Sequence, residues 1–308
     1  MYILEKFDVV RKIKVESQEE KYYVKSDDSE GLSKYTNKNE ECERKIKISL
    51  TSYPARINQI HLTIETLLNQ SKKVDQILLW LSKNQFPNLE NDLPEELLAQ
   101  LDQGFEIRWV DDDLKPHKKY YYVMKEYPND IIITVDDDLL YEEDMVEKLY
   151  QSYLKFPKAV STMLTHLITI TEDGQKVEPY NYWIKNYDMI LGKPSMKLLA
   201  LSGSGTLYPP KSMHEQLFNL EVIKSNIPIA DDLWLKLMQV MNNTPVALVS
   251  KYSKEVLNIR RDSQEKVLWR ENVLERKNDI QLAEVLKIYN EYFGEENTLI
   301  SKISDNVF

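Results

Sequence analysis

The sequence predicts an α/β fold, a mostly parallel sheet flanked by helices. Two observations predict it. From Lys45 onward, short β-branched runs alternate four times with amphipathic stretches, at spacings suited to right-handed crossovers. One run, Ile131-Ile132-Ile133-Thr134-Val135, is apolar enough to be buried on both faces, and it stops at Asp136-Asp137-Asp138. Such a strand delivers three carboxylates to the carboxyl edge of the sheet, where open α/β sheets bind ligands.

The elements follow in order. Ile46 to Leu50 is the first strand, broken at Tyr53-Pro54. Asn58 to Asn69 reads as a helix with Ile60, Ile64, Leu67 and Leu68 on one face. Val74 to Leu81 is the second strand, and Leu93 to Leu101 a helix with Pro94 in its first turn. Phe105 to Val110 is the third strand. Lys118 to Tyr127 is a helix stopped by Pro128, Ile131 to Val135 the fourth strand, and Asp144 to Phe156 the next helix. Beyond Pro157 the rhythm changes. Leu167 to Val177 predicts a hairpin turning at Glu172-Asp173-Gly174, and a Tyr/Trp/Asn-rich loop runs from Pro179 to Asp188. Leu233 to Met241 is a strongly apolar helix, and the tail from Asp262 to Phe293 is helical and amphipathic. The expected organisation is an N-terminal extension over 1–43 (β-like pieces and a polar linker), a catalytic domain over 44–258, and a C-terminal helical segment over 259–308.

A chain of 308 residues with 42% apolar and 29% charged residues can bury a full core. Lys plus Arg is 40 and Asp plus Glu is 50, a net charge of −10, which argues against a nucleic-acid footprint. Cys42 is the only cysteine, so an intrachain disulfide and a cysteine zinc site are excluded, and a reducing compartment is expected. Glu5, Lys6 and Asp8 interrupt any apolar leader core, and no 18 apolar residues run together, so neither a signal peptide nor a transmembrane helix is expected. Peripheral membrane contact stays open.

Three strand ends carry chemistry. Crowded carboxylates at Asp136–Asp138 suit Mg2+ or Mn2+, which take carboxylate and phosphate oxygens; the competing reading is a solvated acidic turn. The turn Thr51-Ser52-Tyr53-Pro54-Ala55-Arg56 offers hydroxyls, a ring for a base and a guanidinium for phosphate. Asp111-Asp112-Asp113 can accept from ribose or base, and Lys118 and Lys119 open a helix where a diphosphate is favoured; a charged surface loop is the alternative. Asp231 and Asp232 start an apolar helix. One suffices as a cap, which leaves the other as a general base. Gly203 and Gly205 permit close approach of a sugar or phosphate, or simply turn the chain. They do not form a complete G-x-G-x-x-G, and there is no Walker A sequence, so a dinucleotide-binding dehydrogenase is disfavoured. Of the four histidines, His214 is the candidate to complete a metal site, against a plain structural role.

Through the Thr51–Arg56 turn, Trp109 with Asp111–Asp113, Asp136–Asp138, the segment Ser202-Gly203-Ser204-Gly205-Thr206-Leu207-Tyr208-Pro209-Pro210 and the pair Asp231-Asp232, the chain resembles GT-A glycosyltransferases. The likeness is to inverting family-two members of bacterial polysaccharide synthesis, over roughly residues 45–250. The resemblance implies a nucleotide-sugar donor, expected to be a UDP-sugar, with Mn2+ or Mg2+ as cofactor. It implies a glycan or lipid-linked sugar acceptor and a cytoplasmic site, at the inner face of the membrane where the acceptor is lipid-linked. Asp136 and Asp138 become the D-x-D carboxylates, with Asp136 and Asp137 also at the nucleotide-sugar. Asp111, Asp112 or Asp113 becomes the uracil or ribose contact, Thr51 to Arg56 the nucleotide lining, and Asp232 or Asp231 the base. His214 is the only candidate third metal ligand in that half. Tyr180, Tyr182 and Trp183 are expected at the acceptor. The alternatives are a nucleotidyltransferase on a similar sheet and a non-catalytic metal- or carbohydrate-binding module.

Overall fold

The computed structural model describes residues 44–101, 103–174, 176–251, 257–258, 276–289 and 299–304. All belong to one compact unit, Glu43–Phe308. The expected extension over 1–43 and the expected helix over 262–275 lie outside the described residues.

The chain begins with β1 (Ile46–Thr51), α1 (Ile60–Leu68), β2 (Gln76–Ser82), α2 (Glu95–Leu98) and β3 (Phe105–Val110). It continues through α3 (Lys118–Glu126), β4 (Ile131–Val135), β5 (Leu139–Leu140), α4 (Met145–Lys155), β6 (Val160–Thr162) and β7 (Thr165–Leu167). Next come β8 (Leu198–Ala200), β9 (Ser204–Tyr208), α5 (Leu220–Asn226), α6 (Asp231–Met241), β10 (Val246–Leu248) and β11 (Leu257–Asn258), then α7 (Lys277–Tyr289) and α8 (Leu299–Ser304). Seven strands form the main sheet in the order β10-β6-β9-β4-β1-β2-β3. Neighbours are parallel except at β9, which runs antiparallel to both β4 and β6.

The period-2 alternation of β1 assigns its two faces. Ile46, Ile48 and Leu50 join Ile131, Ile133 and Val135 of β4 in a core with Ile60 and Ile64 of α1 and Val146 and Leu149 of α4. On the opposite face, Ser49 donates to the Lys119 carbonyl at the head of α3 (2.6 Å) and accepts from Trp80 Nε1 (3.0 Å). That side carries the other main cluster, with Tyr120 of α3, Leu233, Trp234 and Leu237 of α6, Val285 of α7 and Ile303 of α8.

Helix ends follow the prolines. α3 stops at Glu126, Tyr127 standing before Pro128, and α4 stops at Lys155, Phe156 standing before Pro157, because a residue preceding proline is pushed out of the α region. The helix expected over 93–101 shortens to Glu95–Leu98. Its downstream N–H groups at Gln100 and Leu101 bond three residues back, to Leu97 and Leu98 (3.1 and 3.2 Å), so the segment closes as tight turns. The hairpin over Leu167–Val177 forms, with an Ile170–Val177 bridge and Gly174 in the left-handed region (φ 69°).

Candidate active site

β4 ends between β1 and β9, and its last peptide is pinned from the β9 side. Asp136 N–H donates to Gly203 O (3.0 Å) and to the Tyr141 hydroxyl (2.7 Å), and that hydroxyl donates to Gly203 O (2.5 Å). The Asp136 carboxylate then folds over Gly203. A Cβ built there would sit 1.8 Å from Asp136 Oδ2, so any larger residue must displace the carboxylate from this position. Sequence reading missed Tyr141; an aromatic five residues beyond the first aspartate was its only signal.

Asp137 and Asp138 turn toward the end of β1. Asp137 accepts from Ser52 Oγ (2.6 Å) and Arg56 NH1 (2.9 Å), and the same nitrogen lies 2.9 Å from Asp138 Oδ2. Both carboxylates are buried, at 5% and 10% side-chain exposure. Burial raises the Asp137 pKa, against the opposing pull of Arg56 and Ser52. The Arg56 guanidinium packs 5.7 Å from the centre of the Tyr53 ring, a cation–π contact at the rim. Thr51 is committed to the sheet, its hydroxyl donating to Trp80 O (2.8 Å). Thr63 of α1 ties down the loop beyond by donating to Asp137 O and Leu139 O (3.1 and 3.0 Å).

A buried lysine joins this cluster to the start of α6. Lys119 Nζ lies 2.6 Å from Asp136 Oδ1, 3.1 Å from Asp231 Oδ2 and 3.2 Å from Ser202 Oγ. Burial would lower its pKa, but Asp136, Asp231 and Asp232 outweigh that and hold it well above the ordinary value. Asp231 and Asp232 occupy the first turn of α6; Ala230 holds the cap position with no side-chain bond, so neither aspartate is the cap. They divide their tasks. Asp231 is buried and also accepts from Ser202 Oγ (3.0 Å). Burial works to raise its pKa, but Lys119 and His117 prevail and lower it. Asp232 is the more accessible and accepts from the Ser202 N–H (2.8 Å). Burial and the neighbouring Asp231 raise its pKa to about 7. The Tyr180 phenol feels both aspartates, which add to the burial that raises its pKa.

The edge strand β3 ends in a looser cluster. Asp111 pairs with Lys83 (2.8 Å) and Asp112 with Lys224 (3.1 Å), and both aspartates are exposed. Asp113 holds Lys118 and accepts from Gln85 Nε2 (2.9 Å).

Four expectations are corrected here. Lys118 and Lys119 do not present free charges to a diphosphate, because both are buried and their ammonium groups are taken by Asp113 and by Asp136 and Asp231. Gly205 (φ 96°) is the extra residue of a β-bulge where the β4–β9 register shifts, and it faces Met145 and Met163 of the core rather than a ligand. His214 caps a 3-10 turn and its N–H bonds Met238 O, about 9 Å along α6 from Asp232 at 1.5 Å per residue, away from Asp136 and Asp138. Trp183 is buried with its Nε1 on Glu178 O (2.7 Å), which leaves Tyr180 and the 70%-exposed Tyr182 as the aromatics of that loop available to an acceptor.

The sequence matches no protein-family model and no curated protein. Solved structures do resemble it. A mannosyltransferase from Pyrobaculum calidifontis, solved with GDP-Man and Mn2+, aligns over 79% of this chain and 64% of its own, at TM-score 0.51 and 9% identity. The 4-diphosphocytidyl-2C-methyl-D-erythritol synthase of Anaerococcus prevotii aligns over 75% and 96%, at 0.46 and 13%. S. aureus TarS 1–349, in complex with UDP-GlcNAc, aligns over 80% and 73%, at 0.42 and 11%. At these identities the likeness is one of fold. The chain has a GT-A-like architecture, a mostly parallel seven-stranded sheet between helices.

Proposed function

We propose that the protein is a metal-dependent glycosyltransferase that moves a sugar from a nucleotide-diphosphate donor, a UDP-sugar, to a hydroxyl of a glycan or lipid-linked acceptor with inversion. One observation carries this reading: Lys119 and Ser202 hold the Asp136–Asp138 strand end and the Asp231–Asp232 helix start together at one edge of the sheet. Donor-binding carboxylates and a candidate base thereby share one floor.

The residues fit a hard divalent cation. Asp136 and Asp138 offer carboxylate oxygens, Asp136 with 41% of its side chain exposed. Among the described residues no group of three metal-ligating side chains gathers, and the two carboxylates are what this strand end offers. That suits Mg2+ or Mn2+, which commonly take one or two carboxylates and complete their shell with substrate phosphates and water. When bound, the cation neutralises charge on the departing diphosphate. Asp232 takes the acceptor proton; a positioned base contributes roughly 10²–10⁴-fold. Asp231, held ionised by Lys119, keeps Asp232 basic. Tyr53 and Arg56 flank the nucleotide, Asp111–Asp113 receive ribose or base, and Tyr180 and Tyr182 receive the acceptor. No helix among the described residues is long and apolar enough to cross a membrane; the reading places the protein in the cytoplasm, with a lipid-linked acceptor at the inner face of the membrane.

The test is thermal melting with UDP and Mn2+ together and singly, followed by UDP-sugar hydrolysis. Ligand at 100 times its Kd adds about 2.7 kcal/mol, and a chelator should abolish the gain. Asp232→Asn should keep the melting shift and lose turnover. No shift with any nucleotide sinks the proposal. Release of pyrophosphate instead of nucleoside diphosphate would assign a nucleotidyltransferase.

A further inference from the structure

Away from the carboxylate floor, α6 carries a second unusual group. Lys236 lies one turn beyond Asp232, on the side of α6 that faces α7 and α8. It is 4% exposed, and its Nζ has no hydrogen-bond partner. Its surroundings are apolar: Ile168, Trp183, Leu233, Leu237 and Ile303. Burial alone lowers the amine's pKa to about 7, with no carboxylate to oppose it. An unsatisfied buried donor is rare in a folded protein and calls for a partner.

Space for one adjoins it. Beside Lys236 is a narrow gap of about 10 Å³, no more than the space of one water. Val177, Leu282 and Leu299 border both that gap and a chamber of about 390 Å³ that opens outward between the Lys176–Pro179 segment and α7 and α8. The chamber falls in the range of small-molecule sites, about 300–1,000 Å³. Its inner wall is aliphatic, with Leu282, Leu286, Leu299 and Ile300, and its polar residues include Lys176, Arg276 and Asp279.

We propose that this chamber binds an aliphatic carboxylate, the head at the chamber's inner end, facing Lys236 Nζ across the gap, and the chain lying along Leu282, Leu286 and Leu299. The head is a carboxylate because a buried ammonium is tolerated when an anion pairs with it, and one carboxylate balances one ammonium. The body is aliphatic because the wall is. The site is independent of the proposed transferase reaction.

Titration calorimetry of the full chain with decanoate, decanol and acetate tests this. Decanoate should bind saturably, and at least tenfold more tightly than decanol or acetate. At pH 8 the amine is largely neutral, so binding should take up close to one proton, read from the heat in buffers of different ionisation enthalpy. Lys236→Met should weaken decanoate at least tenfold while raising the melting temperature of the free protein. Ala283→Trp, at an exposed position on the chamber wall, should block binding, and it decides the matter if Lys236→Met does not fold. Wild-type affinity for decanoate in either variant, equal affinity for decanol, or no saturable binding to the wild type overturns the proposal.

Discussion

Asp136–Asp138 and Asp111–Asp113 are the same tripeptide at the carboxyl ends of two strands of one sheet, yet their surroundings are opposite. The first follows a strand paired on both sides; the second follows the terminal strand. Asp137 keeps 5% of its side chain exposed, Asp111 88%. The difference teaches that sequence sets the charge, while lateral position in the sheet sets how much water that charge loses. Where water is lost, the fold supplies built-in partners: Ser52, Arg56, Lys119 and the Tyr141-pinned turn. At the open edge, exposed Lys83 and Lys224 reach over to Asp111 and Asp112 and water does the rest, and only Asp113 turns inward, to the buried Lys118.

Removing a partner on the buried side should cost most. Arg56→Ala strands Asp137 and should destabilise the protein by about 3–5 kcal/mol, as breaking buried pairs does; denaturant titration measures it. A loss under about 1 kcal/mol would mean that the two triplets are equally solvated. Gly203→Ala comes next, at about 1–3 kcal/mol, since its Cβ must displace the Asp136 carboxylate; it should also abolish the melting shift given by UDP and Mn2+.

A pH series separates the neighbours Asp231 and Asp232. With the Asp232 pKa raised to about 7, turnover should fall about tenfold per unit below pH 7. Stability should move the other way. The fold holds this proton more tightly than the unfolded chain, so that contribution is complete below the ordinary 3.8 and lost as pH rises through about 7. A turnover profile flat from pH 5 to 8 (a range spanning about two units below the expected pKa) would remove Asp232 as the base. Asp111→Asn should change stability least, within about 0.5 kcal/mol.

Much of this frame is legible in the chain itself. The bounds read for β3 and β4, Phe105–Val110 and Ile131–Val135, are those of the structure, because β3 alternates apolar and charged residues between Gly104 and Asp111 and β4 is a β-branched run between Asp130 and Asp136. The placement of aspartates at the strand ends follows from the same pattern. Burial of cations is not legible. Lys119 reads as a solvated residue at a helix start, and only the meeting of β4, the Ser202 turn and α6 shows it to be enclosed. Lys236 is hidden for a similar reason: in Leu235-Lys236-Leu237 a lysine looks like the wet face of a helix until α7 and α8 cover it. The reversed strand β9 escaped notice because Ser204-Gly205-Thr206 carries turn residues, and the bulge at Gly205 explains why a glycine stands inside a strand.

The reversal of β9 has a further effect on how the molecule can vary. A strand running against its neighbours starts at the edge where they finish, so the excursion over 163–203, which carries Tyr180 and Tyr182, both leaves and re-enters beside the carboxylates. Apart from Gly192 and Ser195, which bond Leu248 and Val246 of β10, its length is free of the ladder below. Insertions or deletions in this flap would reshape the roof and its choice of acceptor, while the foundation of aspartates stayed in register.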